Sequence, residues 1–230
     1  ILNTFRYMMF TLTLGFLAPI VLAILLQEVS HGKIVYRTLY YLPAVMSGLV
    51  VIFMWKLFYQ AGSSGILNQT LNSLASLCGL EFTPQDWLND AKWAMLACVI
   101  PTIWAGAGPG CLIYLAALKG VPEETYEAAE IDGASKWQEF WSITLPSIMD
   151  VLKIVIVLRV IFMFKKVDEI LLLTGGGPGT STTILPLYTY KNTFESMQMG
   201  RGAASAILLM IFIFALMSIY FKLFEKEETE

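Results

Sequence analysis

The sequence predicts an all-α membrane protein with five membrane spans. Of its 230 residues, 57% are hydrophobic and only 14% are charged, whereas a soluble domain usually carries about a quarter charged residues. A bilayer-crossing helix needs roughly 20 mostly apolar residues, and five segments meet that requirement: about 5–27, 38–59, 93–118, 146–172 and 203–224. We expect a single transmembrane domain over residues 1–230, with the polar stretch 119–145 as a loop within it.

Charge and cysteine content exclude several other classes of protein. The net charge of −3 gives no reason to expect nucleic-acid binding. Cys78, Cys98 and Cys111 lack metal-site spacing, and His31 is the only histidine. The sequence therefore predicts membrane lipid as the surroundings, with no nucleic acid and no metal site.

Two of the spans are interrupted by helix-breaking residues. Pro43 and Gly48 predict a kink in the second span. The third span contains Pro101, Gly106, Gly108, Pro109 and Gly110. Such a run is typical of a broken helix that lines a cavity, or of close packing between helices. The residues alone leave both interpretations open.

The fourth span is unusual because it is strongly charged. Arg159 lies 13 residues after Pro146, which places it roughly 20 Å along a helix and inside the hydrocarbon zone. Arg159, Phe162, Met163 and Lys166 share one helical face by spacing. Lys165 can pair with Glu169 at i+4, whereas Arg159 has no acidic neighbour at such a spacing. These features favour a helix that faces a cavity.

Residues 119–145 predict two short helices separated by a break. Pro122 suits a first helical position, and Gly133 can end a helix in the left-handed conformation. Ser135 and Gln138 form the pattern of a capping box that begins the second helix. Pro146 is expected to close that helix and open the fourth span.

The same stretch carries a family pattern: Glu-Ala-Ala, three residues, Gly, nine residues, then Ile-x-Leu-Pro. The matching residues are Glu127, Ala128, Ala129, Gly133, Ile143, Leu145 and Pro146. The stretch resembles the EAA loop of binding-protein-dependent importer permeases, and we name residues 119–145 the EAA loop. Residues 37–43 and the Leu-Thr-x-Gly-Gly-Pro turn at 173–178 extend the resemblance to the carbohydrate-importer permeases.

The resemblance implies the transmembrane domain of a type I ABC importer in a bacterial inner membrane. It implies that the EAA loop and the C-terminus are cytoplasmic, an orientation that the counts of Lys and Arg leave undecided. The residues of the pattern, together with Asp132, are implied to contact an ATPase. One further helix is expected before Ile1.

Energy is expected to come from another chain. The sequence has no Gly-x-x-x-x-Gly-Lys-Ser/Thr motif, and the glycine cluster at 175–179 is interpreted as an external turn rather than a phosphate site. The resemblance implies a cytoplasmic ATPase dimer that holds ATP and Mg, a second and different permease, and an external solute-binding protein. No cofactor is expected in this chain.

The resemblance also suggests a solute pathway and a solute. The sugar-contacting positions of these permeases fall on Thr102, Ala105, Gly106, Arg159, Phe162 and Met163, and Lys166 shares the face of the last three. A cation at Arg159 suggests an acidic saccharide of the uronate or alginate type. The alternative for Arg159 is an ion pair with another subunit, and the alternative solutes are glycerol phosphate or another small molecule. An intramembrane enzyme is disfavoured because the chain carries neither His-Glu-x-x-His nor Gly-x-Ser-x-Gly.

Overall fold

The computed structural model describes residues 1–29 and 32–225, and these residues form helices with no β-strand. His31 and the C-terminal residues 226–230 lie outside this part. The helices are α1 (Leu2–Glu28), α2 (Lys33–Val45), α3 (Gly48–Phe58), α4 (Ile66–Leu77), α5 (Ala94–Leu118), α6 (Glu123–Ile131), α7 (Lys136–Glu139), α8 (Leu145–Lys165), α9 (Asp168–Leu173), α10 (Leu185–Tyr190) and α11 (Met199–Glu225). Two π-helical segments follow α7 and α10, at Phe140–Thr144 and Lys191–Glu195.

The chain divides into two compact units, each built from separate stretches. Unit 1 comprises Ile1–Thr11, Gly48–Thr102 and Val160–Glu230, and unit 2 comprises Leu12–Ser47 and Ile103–Arg159. The core of unit 2 joins α1, α5 and α8 through buried residues such as Ala23, Tyr114 and Ile148. In unit 1, the hydroxyl of Thr4 accepts a hydrogen bond from the backbone N–H of Leu185 at 2.9 Å.

Three helices in the described part are long and apolar enough to cross a membrane. They are α1, α5 and α11, whose apolar stretches run over Leu2–Leu26, Ala94–Leu118 and Met199–Lys222. α8 has a suitable length, but it carries charged side chains within the helix, among them Asp150, Lys153 and Arg159. The first, third and fifth predicted spans therefore appear as continuous helices, while the total of five spans stays a prediction.

The second span is more sharply broken than a kink. Taken together, α2 and α3 are long and apolar enough to cross a membrane once, but they are bent by 99° at a short break. The break lies at Met46, whose backbone is extended (φ −69°, ψ 148°). α2 continues through Pro43, and Gly48 is the first residue of α3. The prediction of a bend was correct, but its position after Pro43 and before Gly48 was not evident from the sequence.

The third span is one unbroken helix, so the broken-helix interpretation is wrong. α5 runs from Ala94 to Leu118 through all of its glycines and prolines. A Cβ atom on Gly108 would lie 2.4 Å from the carbonyl oxygen of Tyr40, and one on Gly110 would lie 2.9 Å from Pro19. Gly108 therefore lets the backbone of α2 approach closely, and Gly110 makes room for the ring of Pro19 on α1, which is how small residues act in membrane helices.

The fourth predicted span, 146–172, ends earlier than expected. α8 stops at Lys165, and α9 begins at Asp168 after two residues outside any helix. Asp168 and Glu169 lie in the first turn of α9, where acidic side chains favour the positive end of the helix dipole. The cluster of charges therefore divides the predicted span.

The segment between α3 and α5 is organised by Asn68, which is 1% exposed. Its amide nitrogen donates to the carbonyl oxygens of Gly62 (3.0 Å) and Gln85 (2.9 Å). Its amide oxygen accepts from the backbone N–H of Gln85 (3.1 Å) and from Trp87 Nε1 (2.9 Å). One side chain on α4 thereby holds both ends of this segment together.

We expect Asn68→Ala to lower the melting temperature of the purified protein by roughly 5–10 °C. The substitution leaves buried donors and acceptors without partners, which costs about 1–3 kcal/mol for each unsatisfied group. Asn72→Ala is the matched control, because Asn72 is exposed one turn later on the same helix. Equal melting temperatures for the two variants would show that Asn68 does not hold the segment together.

Candidate EAA loop and solute-pathway residues

The first helix of the EAA loop ends as the sequence predicts. α6 starts at Glu123, one residue after the predicted Pro122, which caps it. At its C-terminus, the N–H of Gly133 donates to the carbonyl oxygen of Glu130 at 3.0 Å, and the N–H of Ala134 donates to that of Ala129 at 2.9 Å. Gly133 has φ +77°. This is a Schellman motif, and the predicted left-handed conformation of Gly133 is confirmed.

The second helix begins with the predicted capping box. The Ser135 hydroxyl accepts from the backbone N–H of Gln138 at 3.3 Å, and the backbone N–H of Ser135 donates to Gln138 Oε1 at 2.8 Å. Both donors at the start of α7 are thus satisfied locally. The turn between α6 and α7 therefore depends on residues that are close together in the sequence, above all Gly133, Ser135 and Gln138.

Pro146 does not separate the loop from the fourth span, contrary to our expectation. α7 passes through the π-helical segment Phe140–Thr144 directly into α8, which begins at Leu145. A proline inside an α-helix removes one i→i−4 hydrogen bond and clashes with the preceding turn. The wider π turn just before Pro146 accommodates that defect, so the helix continues without a break.

An ion network that the sequence analysis missed joins the two helices of the loop. Lys136 Nζ lies 2.5 Å from Glu130 Oε1 on α6 and 3.1 Å from Glu139 Oε2 on α7. The hydrogen bonds to Glu130 and Glu139 raise the pKa of Lys136 above its usual value. The i, i+3 spacing of Lys136 and Glu139 would have allowed this ion pair to be predicted from the sequence. The contact of Lys136 with Glu130 could not be predicted in this way, because it depends on the turn at Gly133.

Most residues of the EAA pattern lie at the surface of the described structure. Glu127, Ala128, Asp132, Gly133 and Pro146 are exposed, and Ala129, Ile143 and Leu145 are half-buried. Ile143 and Pro146 line a cleft of about 470 Å³ together with residues that follow α5, including Gly120 and Val121. Ile131 and Trp137 add large exposed apolar surface, with 86% and 69% of their area accessible. The loop therefore offers small, acidic and apolar side chains to a partner.

Arg159 is lodged between two glycines of unit 2. A Cβ atom on Gly15 of α1 would lie 2.5 Å from its Nη1, and one on Gly110 of α5 would lie 3.5 Å from its Nη2. Among the carboxylates whose side chains the structure describes, none forms an ion pair with Arg159. The guanidinium is therefore packed closely by backbone but lacks a counter-ion in this part of the chain.

The other predicted pathway residues differ in their surroundings. Phe162 is 60% exposed and Met163 is 3% exposed. Lys166 follows the end of α8, so it does not continue the helical face predicted for it. Ala105 and Gly106 are half-buried, and a Cβ on Gly106 would meet nothing within 4 Å. Gly106 therefore borders open space, unlike Gly108 and Gly110. That these residues contact the solute stays a prediction.

Glu169 joins two of the predicted pathway residues within unit 1. It is 6% exposed, and its Oε1 accepts from Thr102 at 3.0 Å and from Lys166 Nζ at 2.6 Å. The sequence suggested Lys165 as its partner, and the side chain of Lys165 lies outside the described residues. Lys166 thus has a counter-ion, in contrast to Arg159.

The glycine cluster at 175–179 forms a hydrogen-bonded turn. Gly175, Gly176 and Gly179 all have positive φ values. The carbonyl oxygen of Gly175 accepts from Lys191 at 2.6 Å, and that of Gly176 accepts from the Thr183 hydroxyl at 3.0 Å. The predicted turn is confirmed, and its glycines are required by the backbone conformation.

The long apolar helices α1, α5 and α11, together with the exposed helical loop between α5 and α8, are features of a membrane component of a transport system. The family model described as the inner membrane component of binding-protein-dependent transport systems matches residues 15–228. The chain belongs to this family.

The relatives are permease proteins, several of them from sugar transport systems. A probable ABC transporter permease of Pyrococcus horikoshii is 40% identical over 190 residues, which cover 83% of this chain and 63% of that protein. The multiple sugar-binding transport system permease of Streptococcus mutans is 33% identical over 210 residues, covering 91% of this chain and 70% of the relative. The chain thus spans less than two thirds of the length of the first of these relatives.

Two solved structures share the fold. One is a bacterial ABC transporter involved in the import of the acidic polysaccharide alginate, with a TM-score of 0.82 and 26% identity over 98% of this chain and 78% of that chain. The other is a bacterial alginate ABC transporter in complex with a periplasmic protein bound to alginate pentasaccharide, with a TM-score of 0.81, 27% identity, and coverage of 96% and 75%. The resemblance to carbohydrate-importer permeases and the type I importer fold are confirmed. The chain is a multi-pass inner-membrane permease component.

Proposed function

We propose that this chain is a translocating subunit of an ATP-driven importer for saccharides, and that its solutes include acidic oligosaccharides of the uronate type. Sugar transport systems among the relatives support the saccharide, as does a trehalose/maltose permease of Thermococcus litoralis at 34% identity. The alginate importers among the similar structures support the acidic class.

The observation that carries the acidic solute is the uncompensated Arg159. A cation inside a membrane helix bundle is costly unless it is paired. Gly15 and Gly110 hold its guanidinium by close contact, and the described part of the chain supplies no carboxylate to it. A uronate carboxylate matches the planar guanidinium in charge and geometry. An acidic residue of another subunit is the alternative counter-ion.

The proposed assembly supplies what this chain lacks. A cytoplasmic ATPase dimer binds ATP and Mg, a second and different permease completes the pathway, and an external binding protein delivers the solute. The EAA loop and the C-terminus face the cytoplasm in this proposal. The Lys136 network and the Schellman turn at Gly133 support a stiff loop, which transmits closure of the ATPase to the helices as a lever.

The test is the ATPase activity of the reconstituted complex with its binding protein, measured with neutral and with uronate oligosaccharides. We expect uronate oligosaccharides to stimulate hydrolysis, and Arg159→Ala to reduce that stimulation at least tenfold. Arg159→Lys should retain part of it because the charge remains. Lys153→Ala is the matched control, since Lys153 lies on the same helix and pairs with Asp150 at 3.2 Å.

The outcomes separate the solute classes. Stimulation by neutral sugars alone, unchanged in Arg159→Ala, would keep the importer and make Arg159 a structural cation that pairs with another subunit. Stimulation by glycerol phosphate and by no saccharide would favour the alternative solute. No stimulation by any of these solutes would contradict the proposed function.

A further inference from the structure

A small pocket lies behind the exposed surface of the EAA loop, within unit 2. Its volume is about 280 Å³. Small-molecule sites usually occupy about 300–1,000 Å³, so its size suits a single side chain better than a larger ligand. We name it the Glu139 pocket, and it is lined by Ile24, Glu123, Tyr126, Lys136, Glu139, Phe140 and Thr144.

The pocket contains a buried carboxylate that is only half satisfied. Glu139 is 5% exposed, and its Oε2 accepts from Lys136 at 3.1 Å. Its Oε1 is buried and has no hydrogen-bond partner among the described residues. A buried charged oxygen without a donor costs free energy, so the position is explained if a donor enters the pocket.

The hydroxyl groups in the pocket do not satisfy Glu139. The Tyr126 hydroxyl and the Thr144 hydroxyl are hydrogen-bonded to each other at 3.2 Å. One of their two protons is used in that bond, neither hydroxyl donates to Oε1 of Glu139, and both oxygens retain acceptor capacity. The pocket therefore offers acceptors and calls for a donor.

The charge around the pocket favours a cationic donor. Within the EAA loop, two lysines (Lys119 and Lys136) face six acidic residues (Glu123, Glu124, Glu127, Glu130, Asp132 and Glu139), a net charge of −4. Lys136 is shared between Glu130 and Glu139. The described residues contain no cluster of ligands suited to a metal ion. The expected donor is therefore an organic cation.

We propose that the Glu139 pocket receives an arginine or lysine side chain of the ATPase subunit that docks on the EAA loop. This proposal rests on the proposed function, and it adds a residue outside the pattern that first indicated the loop. A guanidinium fits well because its donors point in several directions. One donor reaches Oε1 of Glu139, and others reach Glu123 and the hydroxyl oxygens of Tyr126 and Thr144.

The experiment measures the affinity of the separately purified ATPase subunit for the permease pair in nanodiscs. We expect Glu139→Gln to raise the Kd at least tenfold, because the amide no longer neutralises the entering cation. Glu124→Gln is the matched control: it removes the same charge from the same loop, at an exposed residue outside the pocket. It should change the Kd less than twofold.

Glu123→Gln covers the case in which Glu139→Gln fails to fold. Glu123 is exposed and also lines the pocket, so its substitution leaves the buried network intact and should raise the Kd about threefold. If Glu139→Gln folds and its Kd equals that of Glu124→Gln, the proposed docking in the Glu139 pocket is wrong. If Glu139→Gln does not fold, the same comparison is made with Glu123→Gln. If the wild-type permease pair did not bind the ATPase subunit at all, the proposed function itself would be wrong. That outcome is read from the wild type alone, so it is distinct from a failure of the pocket proposal.

Discussion

Gly108→Ala is expected to destabilise the packing of α5 against α2. The added Cβ would lie 2.4 Å from the carbonyl oxygen of Tyr40 and 3.0 Å from Cα of Tyr41. Both contacts are with backbone, so a side-chain rotation cannot relieve them. Separating the helices should cost about 1–3 kcal/mol, which corresponds to a melting temperature lower by roughly 3–10 °C.

The matched control is Gly106→Ala, two residues earlier on the same helix. A Cβ at Gly106 meets nothing within 4 Å, and alanine is favoured over glycine in a helix by about 1 kcal/mol. We expect its melting temperature to equal or exceed that of the wild type. If both variants were equally stable in the purified protein, the close approach of α5 and α2 would be contradicted.

Gly133→Val is expected to reduce ATP-driven uptake at least tenfold while leaving the membrane helices folded. Gly133 has φ +77°, and a left-handed conformation costs an L-residue about 1–2 kcal/mol, more when the side chain is β-branched. The Schellman turn would open, and α6 would lose its fixed position relative to α7. The measurement is solute transported per ATP hydrolysed in proteoliposomes.

Two further variants separate backbone strain from other causes. Gly133→Asn should restore much of the uptake, because asparagine tolerates the left-handed region. Gly62→Val places the same strain in the segment between α3 and α4, at φ +79° and with open space around it, and should leave coupling unchanged. Loss of coupling in Gly133→Asn would mean that any side chain at this position blocks docking. Full uptake by Gly133→Val would refute the proposal that the EAA loop transmits closure of the ATPase as a stiff lever.

The features that could be predicted from the sequence depend on residues that lie close together in the chain. Composition and the lengths of the apolar segments indicated a membrane protein. Gly133, Ser135 and Gln138 encoded the turn of the EAA loop, because a Schellman motif and a capping box involve residues within a few positions of each other. The fixed spacing from Glu127 to Pro146 identified the family, and the matching model over residues 15–228 agrees with it.

The surroundings of residues that lie far apart in the sequence became evident from the three-dimensional structure. The sequence could not show which glycines allow close packing: on α5, Gly108 meets Tyr40, whereas a Cβ on Gly106 would meet nothing within 4 Å. Likewise, Glu169 binds Thr102, 67 residues away, and Arg159 lies against Gly15 and Gly110. The physical reason is that the spacing of apolar and polar residues shows which side of a helix each residue occupies. Which residues it contacts, and whether its charge is paired, depends on the helix that packs against that side.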